Sequence, residues 1–146
     1  MSLLKNALID YAGAAVGAAK DTDANTSILD MSGWDGVVFL TTVTDCVSGG
    51  VATLKVEASD TNADGGMSAV TGATAAATSG ANDDLNGQLL IVDVFRPQKR
   101  YVQGVRTSAT QNIAFGECIA IRYRGSKAPV TQSSTTVAAS TFAVGS

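Results

Sequence analysis

Three side-chain oxygens in the string Asp60-x-Asn62-x-Asp64-Gly65 have the clearest spacing for chemistry. Alternating oxygen ligands before a glycine turn form the first half of a calcium-binding loop, which wraps a hard cation. The second half departs from that pattern, because Thr71 stands where the bidentate glutamate belongs and neither flank has a helical pattern. Turns rich in Asp and Asn also connect strands through local hydrogen bonds. These three residues are therefore a weak calcium candidate, and we predict no bound metal or cofactor.

The composition argues against catalysis. The chain has no histidine, which removes the familiar nucleophile–base pairs and the histidine-dependent metal sites. Asp83 and Asp84 are adjacent carboxylates, but adjacent side chains of an extended chain point apart, and this pair lies in a predicted turn. No glycine-rich loop leads from a strand into a helix, so nothing indicates phosphate binding. We predict that the protein is not an enzyme.

The string Arg96-Pro97-Gln98-Lys99-Arg100-Tyr101 is the most distinctive in the chain. One interpretation is a hairpin turn with basic, soluble residues at its tip, since proline presets the backbone of a tight turn. The other is that the turn and its flanking strands bind an acidic partner surface, because arginine pairs with carboxylates through two hydrogen bonds. The residue types leave both interpretations open.

The net charge of −3 hides an asymmetry along the chain. Residues 1–95 carry twelve acidic residues and three lysines, whereas residues 96–146 carry seven basic residues and one glutamate. The basic residues form a patch on the surface, or they are solvated strand positions that balance acidic loops of the same molecule. Nucleic-acid binding is not expected, because the pI is about 4.7 and only Tyr101 and Tyr123 are interleaved with the basic residues.

Length and composition indicate one domain with an unusual surface. A chain of 146 residues is long enough to bury a core without disulfides or metals. Charged residues make up 16% of it, against about 25% in soluble domains, so Ser, Thr, Ala and Gly must cover much of the surface. Such surfaces are often buried against other subunits. We expect Cys46 and Cys118 to be reduced thiols, with Cys118 a small buried residue.

The sequence pattern predicts neither a secretory signal nor a membrane-spanning helix. The first ten residues have no basic region ahead of a long apolar segment, as a secretory signal requires. No apolar run approaches the roughly 18 residues that a membrane-spanning helix needs. We therefore expect a protein that is made and folded in a cytoplasm and has no membrane partner.

The stretch from Gln88 to Tyr123 organises the predicted fold. Its three apolar runs, 88–95, 100–107 and 113–123, are separated by short turns and predict a β-meander in which the first run is a buried strand. In a meander, the basic side chains lie at one turn and along adjacent strands. Candidates for a partner interface are therefore Arg96, Lys99, Arg100, Tyr101, Arg122 and Arg124.

Two further strands are predicted at 36–43 and 52–59. Ala52, Leu54, Val56 and Ala58 alternate with Thr53, Lys55, Glu57 and Ser59, which indicates an antiparallel strand with one wet face. Residues 3–12 fit a short strand or a helical turn, with the strand favoured, and 25–31 are predicted as a short strand. Residues 13–24 are predicted as a loop, Trp34 in or beside the core, and 60–87 as a long excursion with one short strand at about 69–76.

These elements predict an all-β fold of seven to nine short strands. The pattern is typical of a single-domain antiparallel β-sandwich or small β-barrel, with a jelly roll as one option. The predicted domain covers 1–128. The uncharged segment 129–146 supplies a last strand to its own sheet or lies as an arm on a neighbouring subunit.

Three strings give a family resemblance. Residues 30–37 (DMSGWDGV), 92–102 (VDVFRPQKRYV) and 120–123 (AIRY) resemble small virion proteins of tailed bacteriophages and prophages, typically encoded near the major capsid protein. The resemblance implies a structural virion protein on the capsid surface, most simply a head decoration or cement protein. It implies the major capsid protein as partner and a homo-oligomer, with a trimer favoured.

Two other functions compete with capsid decoration. A head–tail joining or tail structural protein would assemble as a ring and be present in few copies. A carbohydrate- or receptor-binding β-module, dependent on calcium through Asp60, Asn62 and Asp64, is the other alternative.

Overall fold

Alternating apolar and polar residues build two antiparallel sheets in the computed structural model, which describes residues 2–124, 131 and 137–140. The elements in chain order are α1 Leu3–Asn6, β1 Ala7–Gly13, β2 Val16–Ala19, β3 Thr22–Asn25, β4 Leu29–Asp30, β5 Gly36–Cys46, β6 Val51–Ser59, a 3₁₀ helix Asp64–Gly66, β7 Ser68–Thr78, β8 Leu89–Phe95, β9 Tyr101–Ala109 and β10 Ile113–Tyr123.

The ten strands form a β-sandwich. The first sheet has the order β1-β10-β5-β8, with β2 also paired to β10. The second sheet has the order β3-β9-β6-β7, with β4 also paired to β9. Apart from the short strands β2 and β4, the eight main strands follow the order of a jelly roll. The predicted all-β sandwich is thus confirmed, with ten strands among the described residues in place of seven to nine.

The core lies between the two sheets and is formed by their inward-facing residues. Phe39 and Phe115 from the first sheet meet Leu54, Val56 and Val102 from the second, and all five are buried. The predicted inward face of β6 is confirmed, since Ala52, Leu54, Val56 and Ala58 are buried. Ser59 is also buried, contrary to expectation, because its hydroxyl accepts a hydrogen bond from the Thr61 amide. Trp34 packs against the edge of this core as predicted.

The predicted β-meander is wrong. β8 pairs with β5 in the first sheet, β9 pairs with β6 in the second, and β10 returns to the first sheet between β1 and β5. The residues joining these strands therefore cross from one sheet to the other. Periodicity shows which face of a strand is buried, but both sheets bury the same core, so it cannot say which partner a strand takes.

The predicted loop at 13–24 is also wrong, because it contains β2 and most of β3. These strands lie at the margins of the sheets, where Ala19 is opposite Ile113 and Thr22 is opposite Ser108. Backbone pairing needs no large apolar side chain, so their small residues gave no strand pattern. Residues 3–12 begin with a helical turn before β1, and β7 has eleven residues where a short strand was predicted.

The predicted C-terminal strand or arm, 129–146, lies outside the described residues except for 131 and 137–140. Among the described residues, no helix has the length and apolarity needed to span a membrane.

Candidate interaction surface

The turn at residues 96–100 connects β8 of the first sheet to β9 of the second. Arg96 has a left-handed backbone, with φ of 54°, and its amide donates a 2.6 Å hydrogen bond to the carbonyl oxygen of Asp35. The turn forms one wall of a groove of about 380 Å³ between the start of β7 and the end of β8. The predicted basic turn thus lies at an open side of the sandwich, where the two sheets separate.

Arg100 forms an ion pair within the molecule. Its Nε and Nη2 donate to the two carboxylate oxygens of Asp30 at 3.0 and 2.8 Å. The hydrogen bonds from Arg100 and from the Ser32 amide lower the pKa of Asp30 to about 2. Because both side chains are about half exposed, the pair lies at the surface and is screened by solvent.

Arg122 connects the two sheets from inside. Its Nη2 donates to the Asp10 carboxylate at 2.7 Å in the first sheet, and its Nη1 donates to the Asp30 carbonyl oxygen at 2.8 Å in the second. Its guanidinium lies 5.8 Å from the centre of the Trp34 ring, and that of Arg124 lies 4.9 Å from it. Arg100 and Arg122 therefore converge on Asp30 although they lie in different sheets.

Arg96 and Lys99 are the predicted basic residues that point to solvent. Arg96 stacks on the exposed ring of Phe95 at 5.0 Å. In the stretch from residue 2 to residue 124, neither side chain forms an ion pair. Tyr101 is half-buried with Arg100 over its ring at 5.2 Å. The part of the predicted interface that is available to a partner is thus the tip of the turn.

Sequence reasoning missed a second surface, the outer face of the first sheet. Tyr11, Ile119, Leu40 and Ile91 are opposite one another across β1, β10, β5 and β8, so they share this face. Phe95, Leu89, Ile91 and Tyr11 are 61, 54, 52 and 46% exposed. We call this the outer apolar face and define it as Tyr11, Val38, Leu40, Leu89, Ile91, Phe95, Ile119 and Ile121.

One polar pair lies within the outer apolar face. The Tyr123 hydroxyl donates a 2.7 Å hydrogen bond to the Asp93 carboxylate, which is the only charged group of β8. Burial and this hydrogen bond raise the pKa of Tyr123 above its ordinary value, so the hydroxyl remains a donor. The second sheet differs, because the outward residues of β6 there are Thr53, Lys55 and Glu57.

The position of β8 in its sheet explains why this surface was missed. The string Leu89-Leu-Ile-Val92 reads as a strand buried on both faces. β8 is instead an edge strand whose residues alternate between exposed and buried, and only Leu90, Val92 and Val94 face the core. A signal was present in the sequence, since Asp93 interrupts the run on the same side as Ile91 and Phe95.

The predicted calcium residues do not converge in the structure. Asp60 and Asn62 are exposed, and the Asp64 carboxylate accepts a 2.6 Å hydrogen bond from Gln103 Nε2. Within the described residues, no group of three or more acidic, cysteine or histidine side chains is placed to hold a metal ion. The weak calcium candidate therefore has no geometric support among the described residues.

Asp84 closes its own turn. Its carboxylate accepts hydrogen bonds of 2.8 Å from the Ser79 hydroxyl and from the Gly80 amide. These bonds lower the pKa of Asp84, and the Cys46 thiol lies 3.7 Å from the same carboxylate. Asp83 has a left-handed backbone and an exposed side chain. Asp84 therefore stabilises the turn, and the two carboxylates give the segment just before β8 an acidic surface.

Comparison with known proteins does not identify a family for this chain. No protein-family model matches the sequence, and no curated protein matches it. A solved Bacillus chain, described as "Bacillus endospore appendages form a novel family of disulfide-linked pili", is 17% identical with a TM-score of 0.47, covering 84% of this chain and 91% of that chain. We base no functional argument on a likeness at this level.

Proposed function

We propose that this protein is a structural virion protein of a tailed bacteriophage that decorates and stabilises the capsid. The observation that carries the proposal is the outer apolar face, whose residues come from all four main strands of the first sheet. Soluble monomers rarely expose contiguous apolar patches of more than a few hundred Å². A protein with such a face is therefore suited to contact with other subunits.

The size of the face supports an assembly role. Four strands spaced by about 4.8 Å, with β8 extending for about 23 Å, give a flat area of about 440 Å² before the relief of the side chains is counted. This is within the range of the largest patches on soluble proteins, which are often functional. The low charge content of the whole chain, 16%, fits the same interpretation.

The basic turn offers a second contact. Arg96 and Lys99 stand beside the outer apolar face, next to the exposed Phe95 ring. An apolar surface with a charged rim is the usual arrangement of protein interfaces, in which the rim sets orientation and association rate. We propose that the major capsid protein presents an acidic surface to this rim.

The resemblance in residues 30–37, 92–102 and 120–123 supplies the particular assembly. We propose a homo-oligomer on the capsid surface, with three copies at a capsomer junction as the specific form. Neither metal nor cofactor enters this function, and nucleic acid is not a partner.

The test is co-sedimentation of the purified protein with mature heads and with unexpanded heads, together with its copy number in virions. We expect binding to mature heads and a copy number equal to, or a simple fraction of, that of the major capsid protein. A handful of copies per particle would place it in the neck or tail. Absence from particles would leave a carbohydrate- or receptor-binding module, to be tested on glycans with and without calcium.

Variants of the rim make this test specific. Arg96→Glu combined with Lys99→Glu should weaken head binding at least about tenfold, since each reversed charge adds repulsion where attraction was present. Lys55→Glu reverses a charge on the outer face of the second sheet and is the matched control. Equal binding by the rim variant and the control would exclude the turn from the interface.

A further inference from the structure

We infer that β8 pairs with β8 of a second copy of this chain, in antiparallel orientation, joining two first sheets into one continuous sheet. The occupant of the open edge is thus the same strand of a partner subunit. The inference rests on the edge geometry, the outer apolar face and the charges at the two ends of β8.

Within the described residues, the backbone of β8 has a strand partner on one side only. The Val43 amide donates to the carbonyl oxygen of Gln88 at 3.0 Å, and the Arg96 amide donates to that of Asp35 at 2.6 Å. In an antiparallel ladder, hydrogen-bonded positions alternate, so the even-numbered residues of β8 face β5. The amides and carbonyls of four odd-numbered residues then point to the open edge: Leu89, Ile91, Asp93 and Phe95. In the part of the chain that the structure describes, β8 pairs with β5 alone.

This edge lacks the features that protect edge strands. Natural edges carry lysine, proline or a bulge that prevents pairing with another chain. β8 contains neither residue type, and its register with β5 runs without a shift from Leu89 to Phe95. Its one charged residue, Asp93, is bound by Tyr123 of the same molecule. A seven-residue apolar edge of this kind is a template for strand addition.

Charge complementarity selects a second copy in antiparallel orientation. Asp83 and Asp84 precede β8, whereas Arg96 and Lys99 follow it, and β8 separates these ends by about 23 Å. Antiparallel pairing brings the acidic end of one copy towards the basic end of its partner, and the two-fold symmetry repeats this contact at the other end of β8. Parallel pairing would place like charges together.

The register follows from alternation and charge. With Val92 on the two-fold axis, all seven residues of β8 overlap, and the odd-numbered residues form the hydrogen-bonded pairs that the open edge requires. Ile91 is then opposite the partner's Asp93, and Leu89 is opposite the partner's Phe95. This register avoids two aspartates directly opposite each other, an arrangement that destabilises a sheet.

The inference deepens the proposed function and rests on it, because both treat the chain as a subunit of a larger assembly. If the capsid-bound form is a trimer, pairing of β8 would also join neighbouring trimers. Each β8–β8 contact is shared by two copies, so it can connect one trimer to the next. Its test uses the purified protein without heads, so failure to pair and failure to bind capsids are separate results.

The decisive experiment is disulfide cross-linking between two single-cysteine additions. Ile91→Cys and Asp93→Cys are purified separately, mixed and oxidised mildly. The proposed register puts their Cα atoms about 5.5 Å apart across the two-fold, within disulfide range. The mixture should therefore give about tenfold more cross-linked dimer than either variant alone, since only that combination forms the opposed pair. Native Cys46 and Cys118 are buried and do not compete.

Particle mass gives an independent measurement. Ile91→Lys places a charge at the centre of the edge on a residue that is 52% exposed, so the fold is kept and the particle mass by sedimentation velocity should fall. Ala76→Lys, on the exposed edge strand β7 of the second sheet, is the matched control and should leave the mass unchanged. A mass that Ile91→Lys does not change, whether of a monomer or a trimer, would overturn the inference. Cross-linking of Ile91→Cys or Asp93→Cys alone at the yield of the mixture would do so too.

Discussion

The guanidinium of Arg100, in the turn before β9, faces the carboxylate of Asp30 in β4 through two hydrogen bonds of 3.0 and 2.8 Å, although the two residues are 70 positions apart in the chain. The same Asp30 accepts from Arg122 through its carbonyl oxygen. Asp30, in the two-residue strand β4, therefore orients Arg100 and Arg122, two of the basic residues that the sequence predicts at a partner interface. Arg96 and Lys99 are the basic residues of the turn that this network leaves unpaired within the described residues.

Asp30→Asn should lower stability slightly and in a pH-dependent way. The folded-state pKa of Asp30, about 2, lies below the value of about 3.9 expected when unfolded, so its contribution is complete above pH 4 and is lost as the pH falls towards 2. Because the pair is exposed, we expect a loss of about 0.2–1 kcal/mol at neutral pH. Melting curves of both proteins from neutral pH to about pH 2 should converge at the acid end. A constant gap between them would contradict the assignment.

Arg106→Ala should be far more costly. Arg106 belongs to the second sheet, but its Nη1 donates to the carbonyl oxygens of Ala14 and Gly116 beside the first sheet, at 2.7 and 2.9 Å. The side chain is buried, so truncation leaves a cavity and removes the donor to the Ala14 carbonyl, whereas the Gly116 carbonyl keeps the Thr41 hydroxyl as a donor. The expected loss is about 2–5 kcal/mol. Urea unfolding measures it, with Lys55→Ala on the outer face of the same sheet as control. Equal losses in the two variants would show that Arg106 adds nothing between the sheets.

Gly36→Ala should disturb the outer apolar face. A methyl group on Gly36 would collide with the ring and hydroxyl of Tyr123, which lies directly over it. Displacing the ring breaks the Tyr123–Asp93 hydrogen bond, and overpacking of this kind costs about 1–3 kcal/mol. Gly17→Ala is the control, because nothing lies within 4 Å of the added carbon. Thermal unfolding should separate the two variants, and a Gly36→Ala protein as stable as Gly17→Ala would contradict this packing.

Both thiols should be unreactive in the folded protein. Cys46 and Cys118 are buried as free thiols, and burial raises the pKa of Cys118 to about 11. They cannot bridge, since Cys46 is opposite Ile113, five residues along β10 from Cys118 and hence about 16 Å away. A thiol reagent at mildly alkaline pH should label neither cysteine until denaturant is added, after which two should react. Labelling of the native protein would show that the core opens.

The sequence predicts the faces of strands better than their partners. β6 alternates cleanly because one side meets the core and the other meets water, and its inward residues were predicted correctly. β8 was placed correctly in the chain but wrongly in the sheet, because an edge strand and a central strand can share the string Leu-Leu-Ile-Val. Which strand lies at an edge depends on pairings that span the whole chain, and local periodicity does not encode them.

The candidate surface shows the same division. The basic turn was visible as a string, since Pro97 and its charged neighbours are contiguous. The pairing of Arg100 with Asp30 was not, because these residues meet only when β4 and β9 align side by side. The outer apolar face was missed for the same reason, as its residues come from four strands that are adjacent only in the folded sheet.

The pairing of β1 with β10 has a consequence for biosynthesis. Ala7 is opposite Tyr123, so the first strand of the first sheet finds its partner only when nearly all the described chain has been synthesised. At ribosomal rates of about 5–20 residues per second, that interval is on the order of ten seconds. During it the nascent chain carries the apolar strands β5 and β8 without a closed sheet. The first sheet can therefore close only after β10 has been synthesised, and chaperone protection in that interval would set the yield of native subunits.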